Sequence, residues 1–276
     1  MKSNLSQRVM TGVPLAILAI GYIYLVPEIG FILISLVVAL IGTWEYGKAL
    51  KNKDIPIILP VLYFSVTTLL CAYGLVRNDF NQYGMICLFS SIGVIVITSI
   101  IQIKKMKSLI LWYLLPLFWI AAPIILFIQL RFTSSQLTGS NLILFIIAIA
   151  AFNDIFAFFG GKKFGKHPLA PTISPKKTIE GSVFGIMGGL FIGWAISYFL
   201  LPAYIFGWKL LLIIVVTIVA SQIGDLFESK IKRYCMIKDS SKLIPGHGGL
   251  LDRIDAYLFA IPVFWISLKI LNINVY

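Results

Sequence analysis

Residues 209–255 read KLLLIIVVTIVASQIGDLFESKIKRYCMIKDSSKLIPGHGGLLDRID, and the contrast within this stretch decides the fold. Its first part is an apolar run long enough to cross a hydrocarbon layer of about 30 Å as a helix rising about 1.5 Å per residue. The remainder gathers Lys230, Lys232, Arg233, Lys238, Lys242 and Arg253 with Asp239, Asp252 and Asp255 around the glycine knot Pro245-Gly246-His247-Gly248-Gly249. Such polarity beside a membrane helix points to chemistry on charged groups.

The other residues repeat the apolar theme. Of the 276 residues, 59% are apolar and 12% charged, and the mean hydropathy of +0.95 exceeds that of a soluble domain. The chain reads as an all-α polytopic integral membrane protein, since lipid offers no partner to an open sheet edge. About nine spans are predicted, at 11–26, 29–44, 56–76, 83–103, 109–130, 141–160, 182–204, 209–227 and 249–271. The first opens after Lys2 and Arg8 and is followed directly by another apolar run, so it reads as a spanning helix and not as a cleaved signal.

Sorted by segment, eighteen of the 23 Lys and Arg fall on the N-terminus and alternate loops. Arg77, Arg131, Lys209 and Lys269 fall on the other side, and Arg253 lies inside the ninth span. Positive charge orients short loops, so the N-terminus and the polar loops 161–181 and 228–248 are expected in the cytoplasm. The protein is expected in the inner, cytoplasmic membrane with its active site facing the cytoplasm. This bias, with attraction to anionic lipid head groups, accounts for the net charge of +12, and nucleic acid is not needed as a partner. Cys71, Cys87 and Cys235 indicate neither a disulfide framework nor a paired-cysteine metal site.

Acids divide the chain unequally. Residues 1–140 hold Glu28, Glu45, Asp54 and Asp79, all near span ends or in loops, and read as a transmembrane scaffold. Residues 141–276 hold Asp154, Glu180, Asp225, Glu228, Asp239, Asp252 and Asp255 and read as the catalytic region. A charge at the bilayer centre costs about 2.5–3.5 kcal/mol on insertion scales, so Asp154, Asp225, Asp252 and Asp255 need partners, cations or water. The structural alternative is that Asp255 pairs with Arg253 or a loop lysine and that Asp154 only caps helix contacts. Ser221, Asp225 and Ser229 recur every four residues and share a helical face, while Asp252 and Asp255 lie three apart. Carboxylates brought together from two helices repel unless a hard divalent cation such as Mg²⁺ lies between them.

The glycine knot can approach a ligand closely and aim N–H groups at an anion; a plain loop-to-helix turn is the alternative. In the first polar loop, Ser174 before Pro175 predicts an N-cap with proline at the first helical position. Lys176, Lys177 and Thr178 then crowd that helix start, a poor arrangement for the helix dipole but a good one for a polyphosphate. Gly160 to Lys166 has the G-x-x-x-x-G-K spacing of a P-loop, but His167 replaces the required Ser or Thr and no strand precedes it, so that match is rejected.

At these residues the chain resembles the phosphatidate cytidylyltransferases, also called CDP-diacylglycerol synthases. Ser229, Lys232, Arg233, Lys238, Asp239, His247, Gly248, Gly249, Asp252, Arg253 and Asp255 meet the family signature. Upstream the likeness takes in Asp154, the glycine-lysine run ending at Lys166, Ser174 to Thr178, Glu180-Gly181 and Gly224-Asp225, so it covers roughly residues 150–260. Asn153 departs from the small residue expected before Asp154.

The resemblance implies the reaction of CTP with phosphatidate to give CDP-diacylglycerol and pyrophosphate. It also implies an Mg²⁺ site, with as many as two ions, held by Asp225 and Asp252, to which the spacing adds Asp255. Lys232, Arg233, Lys238, Asp239, His247 and Arg253 join these aspartates as expected catalytic residues. Asp154, Lys166, Ser174, Lys176, Lys177, Thr178, Ser229, Gly248 and Gly249 are the expected substrate contacts. A homodimer is the family expectation. The rivals are a CTP-dependent polyprenol or dolichol-type lipid kinase, which would move the γ-phosphate, and a cation-coupled transporter, which inverted repeats would support.

Overall fold

A computed structural model describes residues 2–51, 112, 115–132, 136–201, 205, 207–244 and 248–273, with 2–13 and 136 described by backbone alone. The expected spans 56–76 and 83–103, the start of 109–130, and His247 lie outside the described residues. The helices are α1 (Lys2–Leu25), α2 (Glu28–Lys51), a π-helical turn (Leu117–Ala121) leading into α3 (Ala122–Arg131), α4 (Gln136–Phe164), α5 (Ile179–Leu200), α6 (Trp208–Tyr234) and α7 (Leu251–Ile270). Between α4 and α5 lies a ribbon of β1 (Pro168–Ala170) and β2 (Ser174–Thr178).

Among the described residues four helices, Glu28–Lys51, Leu137–Phe164, Ile179–Leu200 and Trp208–Tyr234, are long and apolar enough to cross a membrane, and Pro14–Leu25 and Leu117–Arg131 are shorter apolar helices. The protein is thus an all-α polytopic membrane protein. Its residues form two compact units, one of Met1–Leu25, Leu130–Tyr234 and Arg253–Tyr276, the other of Val26–Gln129 and Cys235–Asp252.

The first unit is organised by small residues. Lipid is as apolar as leucine, so membrane helices associate through close packing and not through the hydrophobic effect. Gly181, Gly185, Gly189 and Gly193 recur every four residues on α5, and all four are buried. A Cβ at Gly185 would come within 2.5 Å of Asn153 Oδ1 and 2.9 Å of the Asn153 carbonyl on α4, and one at Gly189 within 2.6 Å of Ile218 Cδ1 on α6. Behind this seam lie Leu142, Ile143, Phe145, Ile146 and Ile149 of α4, Ile213, Ile214 and Ile218 of α6, and Phe264 of α7, all buried. The opposite face of α5 exposes Phe191, Trp194, Tyr198 and Phe199, side chains suited to lipid. In the second unit, Phe31 of α2 stacks on Phe127 of α3 with ring centroids 5.3 Å apart.

Two expectations about the polar loops change. Residues 228–234 are helix, because nothing between Asp225 and Tyr234 breaks α6, and Lys232 and Arg233 in its last turn suit the negative end of the helix dipole. The helix stops where Met236 takes a left-handed φ of 57°.

Likewise Ser174-Pro175 does not start a helix. Ser174–Thr178 is strand β2, paired antiparallel with β1 through Pro168 to Thr178 and Ala170 to Ser174. The N-cap of α5 is Thr178, whose Oγ1 accepts the Gly181 N–H at 3.1 Å. Both sites carry capping signals; the ribbon prevails because Glu180 Oε2, in the first turn of α5, accepts the backbone N–H groups of Lys166 at 3.1 Å and His167 at 3.2 Å, anchoring the ribbon's entry. Pro175, lacking an N–H, is tolerated on the edge of a two-stranded ribbon.

Replacing Gly185 by valine should overpack the seam, at a cost of about 1–3 kcal/mol. Thermal unfolding in detergent should show a clear drop for Gly185→Val and none for the exposed Trp194→Leu; equal melting of the two variants would refute the seam.

Candidate active site

A cavity of about 460 Å³ opens in the first unit, walled by Asp154 and Ala157 of α4, Lys176, Lys177 and Thr178 of β2, Ser182 of α5, and Gln222 and Asp225 of α6. β2 runs straight into the cap of α5, so Lys177 is delivered beside a fixed helix start. Its ammonium is ion-paired with Asp225, both side chains being 31% exposed. One turn further along α6, the Ser229 hydroxyl lies 3.4 Å from Asp225 Oδ1. Ser221 leaves the expected oxygen stripe, because its hydroxyl donates to the Ile218 carbonyl at 2.8 Å.

Gly224 explains how α6 approaches α7. A Cβ there would come within 2.6 Å of the Asp255 carbonyl and 3.1 Å of Phe259. Asp255 is buried.

The unexpected Asn153 has a defined task. Fully buried, it donates to Asp154 Oδ1 at 3.0 Å and accepts from Gln222 Nε2 at 2.7 Å. Gln222 also binds Ser182, whose hydroxyl donates to Gln222 Oε1 at 2.5 Å. This chain ties α4, α5 and α6 together at the cavity floor. Among the cations, Lys232 pairs with Glu228 on its own helix at 2.5 Å, and Arg233 Nε donates to the Ile173 carbonyl at 3.2 Å, bracing the ribbon tip. Lys166, Lys176, Lys238, Asp239 and Arg253 are exposed, and Ser174 is half-buried in β2.

The second unit holds Asp252, Gly248 and Gly249. Asp252 Oδ2 accepts the N–H groups of Ser240 at 2.9 Å and Gly249 at 2.8 Å and lies 3.0 Å from the Ser240 hydroxyl. Gly248 has φ +83°, and a Cβ on it would lie 2.7 Å from Asp252 Oδ2. The N–H of Gly249, expected to face an anionic ligand, is therefore directed at a carboxylate of the protein itself. Glu45 of α2, read from sequence as scaffold, is fully buried in the same turn and accepts the N–H groups of Leu250 and Leu251 at 3.0 and 2.7 Å. No local pattern around Glu45 revealed this, since Lys48 three residues on reads as an ordinary helical partner for it.

Among the described residues no group of three or more His, Cys, Asp or Glu is placed to hold a metal ion. The carboxylates lining the cavity, Asp154 and Asp225, and the Ser229 hydroxyl beside Asp225 are hard oxygens. That set fits Mg²⁺, which binds through one or two carboxylates and completes its shell with water and substrate phosphates.

The chain matches the model of the cytidylyltransferase family over residues 6–271. It belongs to that family. A phosphatidate cytidylyltransferase of Haemophilus influenzae is 30% identical over 94% of this chain and 97% of its own length. Enzymes of the same name from Staphylococcus haemolyticus and Staphylococcus epidermidis are 37% and 39% identical over 50% of this chain and 52% of theirs. The resemblance read from the signature residues is borne out, and the cytidylyltransferase, a nucleotidyltransferase by family, has a cavity in which the cations Lys176 and Lys177 stand beside the acids Asp154 and Asp225.

Asp225→Asn should leave the protein folded in detergent, because its shape and the Ser229 contact are retained, yet lower turnover by about 10- to 100-fold. Lys105→Ala, in a lysine cluster without acids, should turn over normally. Near-normal activity of Asp225→Asn in a nucleotidyl-transfer assay would remove Asp225 from the site.

Proposed function

We propose that this enzyme transfers the cytidylyl group of CTP to phosphatidate, giving CDP-diacylglycerol and pyrophosphate. The names of its relatives support the substrates, and the single observation that carries the reading is the cavity in which Lys177 of the ribbon meets Asp225 of a membrane helix. A phosphate oxygen of phosphatidate attacks the α-phosphorus of CTP, the bond from that phosphorus to the bridging oxygen breaks, and pyrophosphate leaves with the electron pair. A phosphate monoester with a second pKa near 6 is already largely ionised at neutral pH, so no general base is required. His247 then serves as a phosphate contact and Ser229 as a ligand or helix contact, not as a nucleophile.

Lys166, Lys176, Lys177, Lys232, Arg233, Lys238 and Arg253 share the phosphates in this reading. Lys177 has the most direct task, since an entering triphosphate competes with Asp225 for its ammonium. Asp225, Asp252 and Asp255 are each candidate ligands for Mg²⁺, whose chemistry would be to neutralise charge on the triphosphate and the departing pyrophosphate. Asp154, Thr178 and the Asn153–Gln222 chain shape the cavity for the head group. The distribution of lysine and arginine supports a cytoplasmic site, where CTP arrives from water and the lipid enters sideways between helices. Residues 1–140 serve as scaffold to the catalytic region 141–276.

The test uses purified protein in mixed micelles with phosphatidate, Mg²⁺ and CTP labelled at either the α- or the γ-phosphate. Label from the α-position should enter the lipid phase in a phosphatidate-dependent manner. γ-Label in an added polyprenol would instead make the enzyme a lipid kinase.

A further inference from the structure

None of these steps uses Glu45, the fully buried acid of α2. Its Oε1 accepts from the Ser241 hydroxyl at 2.5 Å and the Leu250 N–H at 3.0 Å; Oε2 accepts from the Leu251 N–H at 2.7 Å and lies 3.2 Å from the Ser240 hydroxyl. That Ser240 hydroxyl is also 3.0 Å from Asp252 Oδ2. One hydroxyl proton thus stands between two carboxylates, and the backbone N–H of Ser240 at 2.9 Å helps hold the second in place.

Gly249 is fitted to Glu45. A Cβ on it would collide with Ser240 Oγ and lie 2.7 and 2.8 Å from the two Glu45 oxygens, so only glycine leaves room for the carboxylate. Of the N–H groups that the start of α7 leaves without helical partners, those of Leu250 and Leu251 are taken by Glu45, while that of Gly249, just before the helix, is taken by Asp252. Two hydroxyls and two backbone N–H groups, from Ser240, Ser241, Leu250 and Leu251, thus face Glu45, the Ser240 hydroxyl being shared with Asp252.

We infer that Glu45 is a positioning residue for the reaction: through Ser240 and the N–H groups of Leu250 and Leu251 it fixes the turn that presents Asp252. The inference rests on the reading of Asp252 given under the proposed function. It makes an N-terminal helix part of the working site and gives the second glycine of the signature a specific reason to be glycine. Glu45 touches no substrate in this role. Removing it should blunt turnover through Asp252 while leaving the apolar packing of α2 intact.

Glu45→Gln keeps the size of the side chain, but either orientation of the amide sets an NH₂ against backbone N–H donors. In protein that elutes and melts like the parent, kcat should fall about 10- to 100-fold, with a much smaller change in KM for CTP. Amide hydrogen exchange across Ser240–Leu251 should quicken, without substrate present. Combined with Ser240→Ala, the losses in kcat should fall well short of multiplying, because both changes act on one network. A kcat within about twofold of the parent, or losses that multiply as those of independent sites do, would overturn the role. Should Glu45→Gln not fold, the Ser240→Ala/Ser241→Ala pair removes both hydroxyls that face the carboxylate, and it must show the same kcat loss and faster exchange. If the parent enzyme puts no α-label into lipid, the substrate reading fails by itself; exchange over Ser240–Leu251 then decides, and unchanged protection in Glu45→Gln overturns the positioning role.

Discussion

A carboxylate carried on a membrane helix must have its charge and its lone pairs answered from within the protein, because lipid answers neither. Asp225 is met by Lys177 and Ser229, Asp154 by Asn153, Asp252 by Ser240 and Gly249, and Glu45 by two hydroxyls and two N–H groups. For Asp225, Asp252 and Glu45 the partners come largely from the short polar segments between helices. The ribbon and the glycine turn are therefore as much a part of the helices' stability as of the chemistry. The glycines follow the same logic, since Gly185, Gly224, Gly248 and Gly249 each stand where a Cβ would press on a polar side chain or a carbonyl that the site uses.

Much of this was legible in the sequence, and for physical reasons. Apolar runs of membrane length can only be helices, so the class of fold followed from composition. Asp225 stood out because an acid inside such a run demands a partner, and the signature from Ser229 to Asp255 carried the family. The partner itself was not legible. Lys177 lies 48 residues before Asp225, and no local rule links a lysine in a polar loop to one acid among several.

The ribbon was misread because two capping signals stand four residues apart, at Ser174 and Thr178, and local propensity cannot choose between them. The choice is made by Glu180 and by pairing with Pro168–Ala170, both contacts that exist only once the chain has turned back. Glu45 was missed for the opposite reason: a single acid near the end of an apolar helix reads as a span boundary, and only the folded turn around Ser240 and Leu251 shows that it is enclosed. The four-residue glycine repeat of α5 was present in the sequence all along, at a spacing that membrane helices use for close approach.

Helix α6 runs without a break through 27 residues, which at about 1.5 Å per residue makes a rod of about 40 Å. That exceeds a hydrocarbon layer of about 30 Å, so the rod acts as a depth gauge. The height of Asp225, Glu228 and Lys232 relative to the lipid phosphates is set by how much of its apolar portion the bilayer covers. A membrane of different thickness would tilt or shift the rod together with the helices packed on it, changing the depth at which these side chains stand.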